Sequence, residues 1–397
     1  DGIPFVQVTP KLIRNEDNSI DVTFLIEPSE KKYIDKIIIS GNTRTLDKVI
    51  RRRLRIAEGD SYNRVLIKRS RILVNNLGHF SKVEFNEIDK PTNTNEIDIN
   101  IEVEERPTGE ISAGVGVGTN GGTFAFTVKE NNWLGEGKRV GFDVDLDQDS
   151  LSGTITYTDP NYDFLGNSLS YFLRNTTNDK PNSGYENTVI TTGASTSFEQ
   201  FKDLYATLGL SASHDDLKTD DAATETLKKQ SGNFSELAAN YGFSFDQRNR
   251  AFMPTSGSIL SFGQTLPIYA DKSFLANTIS ASSYKTISED IIGATKFYAS
   301  AVNGLGSDDV RLSKRKSLSS KRLRGFERNK VGPVDGSDHI GGNYVAALNF
   351  EASLPNLLPE AYKTDVGLFL DFGNVWGVDY DDSLDESNEI RSSTGLA

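Results

Sequence analysis

Cysteine is absent from the 397 residues, which excludes disulfides, thiolate metal sites and thiol nucleophiles. Histidine is nearly absent. His79, His214 and His339 are far apart, no G-x-S-x-G or H-E-x-x-H spacing occurs, and surface or packing roles are expected for all three. No apolar run approaches the roughly 20 residues of a membrane helix, and mean hydropathy is -0.43. Hydropathy alone would therefore indicate a soluble chain, an inference that fails where lipid-facing and lumen-facing residues alternate along strands. The first residues, Asp1-Gly2-Ile3-Pro4, lack the basic start and apolar stretch of a signal peptide.

The charge present is mostly acidic. A net charge of -13 argues against a non-specific nucleic-acid binder. With 25% charged and 10% aromatic residues, the chain is not a disordered acidic polymer either. Its length allows two or three domains.

The composition changes near Arg106-Pro107. Before it, helix and strand patterns mix. Tyr33 to Ile39 reads as a strand ending at Gly41-Asn42. Leu46, Val49, Ile50 and Leu54 follow at helical spacing with Thr45 as the expected N-cap. A second helix carries Leu66, Leu73 and Leu77 and stops at Gly78. Strands over Lys82–Ile88 and Glu96–Glu104, with Pro91-Thr92-Asn93 between them, close a β-α-α-β-β unit. Phe5–Arg14 and Ile20–Glu27 read as another strand pair around Asn15-Glu16-Asp17-Asn18. The expected division is 1–29 as the end of a preceding unit, 30–106 as the α+β unit, and 107–397 as an all-strand region.

After Pro107 the helical period disappears. From Arg139 to Asp147, Val140, Phe142, Val144 and Leu146 alternate with Gly141, Asp143 and Asp145. About thirteen such segments of roughly ten residues follow one another, a length that crosses a bilayer when tilted. A water-soluble sandwich would need two very large sheets, whereas a closed barrel has lipid outside, a polar lumen and no edges. The sequence predicts the barrel. Turns on the side where the linker enters are expected at 132–138, 159–166, 200–202, 247–256 and 288–290. Longer loops are expected opposite, at 215–233 and 304–340, matching the asymmetry of outer-membrane barrels. Trp133 and Trp376 are expected to anchor at the two membrane interfaces.

Two motifs are weaker than they look. Gly116-Val117-Gly118-Thr119-Asn120-Gly121 matches G-x-G-x-x-G, but the strand-like run 123–128 follows where a phosphate-binding helix is required, so a glycine-rich hairpin is expected. Asp145-x-Asp147-x-Asp149 begins like a calcium loop, yet lacks the glycine that should follow and has Thr156 at the final Glu position. No metal and no cofactor are expected.

The segment from Arg311 to Lys330 holds nine Lys or Arg against the single acid Glu327. It would ordinarily be a solvated loop. The flanking strands suggest more. If Leu348, Phe350, Ala352 and Leu354 face lipid, Glu351 faces the lumen. If Val366, Leu368, Leu370 and Phe372 face lipid, Asp371 likewise faces the lumen. Two inward carboxylates need a partner if shielded from water, and Arg324, beside a turn-permitting Gly325, is a candidate with a bidentate fork.

Leu323-Arg324-Gly325-Phe326 resembles the (V/L)-R-G-F/Y motif of the outer-membrane assembly-factor and two-partner-secretion superfamily. The run from Phe369 to Trp376 is similar to its D-x-G strand motif, and Leu348-Asn349-Phe350-Glu351 to the acidic strand before it. Asp246-x-Arg248-Asn249 through Pro254-Thr255-Ser256-Gly257 also fits. Residues 30–106, with Gly41-Asn42-Thr43 and Leu77-Gly78-His79-Phe80, resemble the superfamily's POTRA (polypeptide-transport-associated) domain. The resemblance implies an arginine, Arg324, folded into the lumen with Phe326 and bound to Asp371 and Glu351. It implies a barrel of about sixteen strands in the outer membrane of a Gram-negative bacterium, with the POTRA domain in the periplasm. The chain ends inside what reads as a further strand, so about three closing strands are expected beyond it.

The implied function is assembly and insertion of other β-barrels without enzymatic chemistry. The implied partners are unfolded outer-membrane proteins, periplasmic lipoprotein subunits and outer-membrane lipid, but not nucleic acid. A lateral seam would open beside the first strand, where Gly114, Gly116 and Gly118 weaken packing. The alternative is a two-partner-secretion transporter of the same superfamily. A passive porin would leave the POTRA unit unexplained, and a barrel-linked esterase would need a nucleophile elbow.

Overall fold

The computed structural model describes residues 8–15, 19–26, 31–91, 95–118, 121–163, 165–327, 329–355, 357–358, 365–380, 384–385 and 389–396. The chain forms two compact units, Asp1–Glu110 with Lys129–Val140, and Ile111–Val128 with Gly141–Ala397. Among the described residues no helix is long and apolar enough to cross a membrane.

In the first unit β1 (Val8–Arg14) and β2 (Ile20–Ile26) form an antiparallel hairpin. Phe5–Gln7, Glu16–Asn18 and Glu27 lie outside the described residues. A separate sheet follows: β3 (Tyr33–Ser40), α1 (Asp47–Arg51), α2 (Arg64–Asn75), β4 (Phe80–Asp89) and β5 (Glu96–Glu105). The sheet order is β3-β5-β4, with β5 parallel to β3 and antiparallel to β4. Alternation along β5 buries Ile97, Ile99, Ile101 and Val103 against Ile50, Ile67 and Val74 of the helices. The turn proposed over Pro91-Thr92-Asn93 falls largely outside the described residues.

Two sequence expectations fail in this unit. Thr45 is not the N-cap of α1. Leu46 occupies that position without a side-chain bond, and the Thr45 amide is already taken by Glu105 Oε1 at 2.6 Å while its hydroxyl accepts from Asn132 Nδ2 at 2.8 Å. Leu54 lies beyond the helix end. The buried face of α2 is Ile67, Ser70 and Val74, not the Leu66 row; Leu66 is exposed and Leu73 and Leu77 are only half-buried. The stripe that faces the sheet carries no leucine, and Asn63 caps the Val65 and Leu66 amides at the start of the helix. Gly41 permits the turn after β3: at φ +86° a Cβ there would lie 1.9 Å from the Val103 carbonyl oxygen.

The second sheet is one antiparallel meander. In chain order it comprises β6 (Gly109–Gly118), β7 (Gly121–Trp133), β8 (Lys138–Leu146), β9 (Ser150–Asp159), β10 (Ser168–Lys180), β11 (Tyr185–Phe201) and β12 (Leu204–Thr219). A one-turn helix α3 (Glu225–Lys228) precedes β13 (Gly232–Asp246), β14 (Gly257–Ala270), β15 (Phe274–Ser288) and β16 (Ile291–Gly304). The long segment after β16 contains the two-residue strands β17 (Val334–Asp335) and β18 (Asp338–His339). β19 (Tyr344–Leu354), β20 (Val366–Trp376) and β21 (Arg391–Leu396) complete a sheet of 14 strands, with β6 and β21 at its edges.

Outward apolar residues recur at alternate positions, including Leu208 and Leu210 at 49% and 55% exposure and Leu368 and Leu370 at 51% and 39%. Repeated on strand after strand, such an area is far larger than a water-facing surface tolerates and suits lipid. Several strands are longer than the roughly ten residues expected; β11 has 17 and β12 has 16. Their extra length corrects the 215–233 loop. Asp215–Thr219 continue β12, and Leu217 and α3 residue Leu227 pack with Tyr185, Leu312 and Ile340 in a small core that caps the long-loop end.

Candidate functional site

The 305–343 segment folds against the inner face of the sheet rather than extending into solvent. Leu318, Leu323 and Val331 bury against Val345, Ala347 and Val375, with Phe326 partly buried beside them. This places Arg324 over the β19–β20 pair, in which Asn349 lies directly opposite Asp371 and Glu351 opposite Phe369.

Arg324 Nη2 donates to Asp371 Oδ1 at 2.6 Å, Nε to Asp371 Oδ2 at 2.8 Å, and the Arg324 amide to the same oxygen at 3.1 Å. Nη2 also reaches Glu351 Oε1 at 3.0 Å. Asn349 Nδ2 donates to Asp371 Oδ1 at 2.7 Å and to the Arg322 carbonyl at 2.7 Å. The Asp371 carboxylate therefore accepts four hydrogen bonds while its side chain is wholly buried. Such a charge is tolerable only with this pairing. The guanidinium also lies 3.9 Å from the Phe369 ring centroid, and Arg322 lies 3.3 Å from that of Tyr298. Glu351 has a second cation in Lys296. Gly325, at φ +82°, makes the turn that lets the amide and side chain of Arg324 converge on one carboxylate.

Nothing in the residue pattern indicated a second cluster nearer the loop end. Arg311 is buried with Asp215 of β12 and Glu236 of β13, at 3.8 and 3.1 Å, and lies 4.8 Å from the Phe234 ring centroid. Lys314 reaches Glu236 at 2.8 Å, and Asp215 also accepts from Asn187 and Ser313. Arg315 is buried against Tyr380. The idea that this stretch is merely a solvated cationic face is thus wrong for Arg311, Lys314 and Arg315. Their partners are far away in sequence and become visible only once strands are paired.

The other residues singled out fall elsewhere. Gly114 and Gly116 lie within edge strand β6 and Gly118 ends it; a Cβ on Gly114 would meet nothing within 4 Å, and one on Gly116 would meet Thr123 Oγ1 at 2.7 Å. Trp133 ends β7 and is 44% exposed, while Trp376 ends β20 and stacks on Tyr344 at 5.9 Å. In the calcium-like run Asp147 Oδ1 accepts from the Asp149 amide, as in a plain turn. Among the described residues no acid or histidine group forms a metal-sized cluster.

Within the first unit the β7–β8 turn docks on the segment leading into α1. The Leu46 amide donates to the Gly135 carbonyl at 2.9 Å, and Lys48 pairs with Glu136 at 3.0 Å. Hydrogen bonds from Lys138 and Lys48 hold the Glu136 carboxyl down to about 2. A Cβ on Gly135 would lie 2.0 Å from the Arg44 carbonyl oxygen. His79 is buried beside this turn, with Nε2 3.2 Å from the Asn131 carbonyl oxygen and Nδ1 without a partner. The contact requires the neutral ring to donate from Nε2.

Burial pushes the His79 pKa below its ordinary 6.5, against the raising effect of the Asn131 hydrogen bond, and nearby Arg139 lowers it further. The unfolded chain then binds the proton more readily than the folded one. Stability from this site is present above about pH 6.5 and is lost as the pH falls below it. The protection factors of residues 129–140, that is, exchange corrected for the intrinsic amide rate at each pH, are expected to fall between pH 7.5 and 5, and His79→Gln should flatten that dependence. An unchanged pH profile in the variant would show that His79 is not the titrating group.

A family model described as the Omp85 superfamily domain matches residues 132–397, and one described as a surface antigen variable number repeat, POTRA, matches residues 32–106. The outer membrane protein assembly factor BamA of Neorickettsia risticii is 30% identical over 405 residues, covering 99% of this chain and 54% of that protein. The BamA of Nitratidesulfovibrio vulgaris is 27% identical, covering 100% and 50%. The chain thus spans about half the length of the curated relatives it matches. In fold it resembles BamA from Haemophilus ducreyi lacking POTRA domains 1–3, with a TM-score of 0.84 at 22% identity over 100% of this chain and 83% of that one. It also resembles CdiB from Acinetobacter baumannii, with a TM-score of 0.54 at 13% identity over 98% and 71%.

Proposed function

The chain belongs to the Omp85 superfamily, its α/β unit being a POTRA domain and its long meander the strands of that superfamily's barrel, and on this basis we propose that it assembles β-barrel proteins into a Gram-negative outer membrane. The observation that carries the reading is the combination of a POTRA unit with the Arg324–Asp371 lock in a sheet of the BamA fold. In this reading Arg324, Glu351 and Asp371 hold the long loop inside the lumen, and Trp133 and Trp376 mark the two interfaces. The seam lies beside β6, where Gly114, Gly116 and Gly118 offer no side chains to pack. Residues 1–29 are the end of a preceding POTRA domain, 30–106 the membrane-proximal one in the periplasm, and 107–397 the barrel. Unfolded outer-membrane proteins are the substrate, with periplasmic lipoproteins as companion subunits.

The test is folding of a urea-unfolded outer-membrane barrel into proteoliposomes carrying the full protein. Acceleration over empty liposomes is expected. No acceleration, together with export of one dedicated soluble partner, would instead favour a secretion transporter of the same superfamily.

Substrate capture by the POTRA unit is proposed to use strand addition, in which backbone groups give affinity with little demand on sequence. β3 and β4 are the edges of the small sheet; the outer side of β3 is partly taken by bonds from Ile34 and Ile37 to residues 51–60, so β4 is the freer edge. Photocrosslinkers along Lys82–Ile88 or Tyr33–Ile39 should capture unfolded barrel precursors. Equal capture from Arg51–Arg55 on the helical side would reject an edge-strand mode.

A further inference from the structure

Charge in the POTRA unit is segregated. Residues 44–71 contain ten Lys or Arg and three acids, whereas 80–105 contain eight acids and two Lys. In a chain of net charge -13 this basic stretch is an exception. Its N-terminal end is also where the β7–β8 turn docks, through the Leu46–Gly135 and Lys48–Glu136 contacts. The docking gathers exposed apolar groups beside the cations: Leu46 is 42%, Trp133 44% and Leu134 76% exposed, and Leu134 is held at φ +54°. Arg53, Arg55 and Arg139 gather as well. After burial, the charges that push the Arg53 guanidinium below its usual value are those of Arg139 and Arg55.

We propose that Arg44, Arg53, Arg55 and Arg139, together with Leu46, Trp133 and Leu134, form a surface that binds the anionic phospholipid headgroups of the leaflet at which β7 ends. The proposal rests on the outer-membrane reading above. A barrel strand leaves the hydrocarbon at its last residues, and Trp133 is the last residue of β7. Exposed Trp and Leu next to guanidiniums is the composition of a membrane interface, where rings lie at headgroup depth and cations meet lipid phosphate. An acidic protein surface would satisfy the cations but gives no role to Trp133 and Leu134 at a strand end. The arginine cluster has an electrostatic reason to hold an anion, since a phosphate among three guanidiniums relieves their mutual repulsion. Bound this way, the POTRA unit is held against the bilayer by headgroup charge, and its hold varies with lipid composition.

The absence of cysteine and the presence of only two tryptophans make the test direct. In the full protein, Trp376→Phe, with any tryptophan outside residues 1–397 also replaced by Phe and any cysteine there by Ser, leaves Trp133 as sole tryptophan reporter, and Leu46→Cys takes an environment-sensitive fluorophore. Both are reconstituted in phosphatidylcholine bilayers with or without phosphatidylglycerol, using brominated lipids as quenchers. Quenching at position 46 is expected to rise about threefold with phosphatidylglycerol, to fall again in high salt, and to lose its lipid dependence in Arg44→Gln/Arg55→Gln. Heat-modifiability on gels checks that the variant barrel is folded. The unsubstituted arginines with salt titration provide a readout that needs no folded variant.

Equal quenching at 46 in both bilayers would overturn the proposal, as would shielding that appears only when an acidic protein partner is added. Trp133 should be quenched in either bilayer. If it is quenched in neither, the placement of β7 in the membrane fails, a result distinct from loss of headgroup selectivity.

Discussion

Replacing Arg324 by alanine is expected to lower the temperature at which the folded band disappears on SDS gels and to impair assembly of other barrels in cells. The physical reason is Asp371. Its side chain is fully buried, and three of its four hydrogen bonds come from Arg324. Without the guanidinium only the Asn349 amide and the Arg324 position's backbone remain, and an uncompensated buried carboxylate costs on the order of 3–5 kcal/mol. Arg324 is 22% exposed, so lumen water will bring the effect toward the low end.

Asp371→Asn should be comparably damaging because it removes the charge that draws the loop inward. Glu351→Gln should be milder, since Glu351 is shared with Lys296 and is not fully buried. Arg324→Lys should rescue only in part, because an ammonium cannot make the two-pronged contact with Asp371. The decisive measurement is the double-mutant cycle. Arg324→Ala with Asp371→Ala should be less damaging than the sum of the two, because the second change removes a charge already unpaired. Strict additivity would mean that the two side chains do not interact and that the loop is held by packing alone.

Arg311→Ala should free the loop at its other attachment. Its guanidinium is 2% exposed, with Asp215 and Glu236 at 2% and 7%. Of the two buried carboxylates, Glu236 would then keep Lys314 and Asp215 would lose its cation. A loss of about 3–5 kcal/mol is again expected for breaking a buried cluster by removing one partner, with less of it at Glu236 than at Asp215. Limited proteolysis within 305–343 reads this directly: Arg311→Ala should be cut at protease concentrations that leave the parent intact. Replacing the three buried charges together, as Arg311→Met with Asp215→Asn and Glu236→Gln, should restore protection, because the charge that remains, Lys314, is 24% exposed and keeps its access to solvent. Continued sensitivity of that triple variant would show that the arginine's contacts with Phe234 and Phe274, rather than its charge, hold the loop.

Together the clusters divide the loop's attachment between two pairs of strands. Arg311 ties the start of the segment to β12 and β13, whereas Arg324 ties its middle to β19 and β20. A conformational change that moves one pair relative to the other must break or stretch one of the two.

The sequence by itself determined the alternation. Period-two patterning places Leu368 and Leu370 on one side of β20 and Asp371 on the other whatever the neighbours are, because the pleat fixes it. It also determined the switch from helical to strand period near Pro107, and the turn at Gly41, where no side chain fits. Tertiary structure decided everything that depended on which strand lies beside which. Asn349 meets Asp371 because β19 and β20 pair in that register, and Asp215 and Glu236 meet Arg311 because the loop returns across β12 and β13. Thr45 failed as a helix cap because its hydroxyl oxygen is engaged by Asn132, 87 residues later. Local propensity is encoded in a few consecutive residues, but the partner of a buried charge is chosen by the packing that removes water from around it.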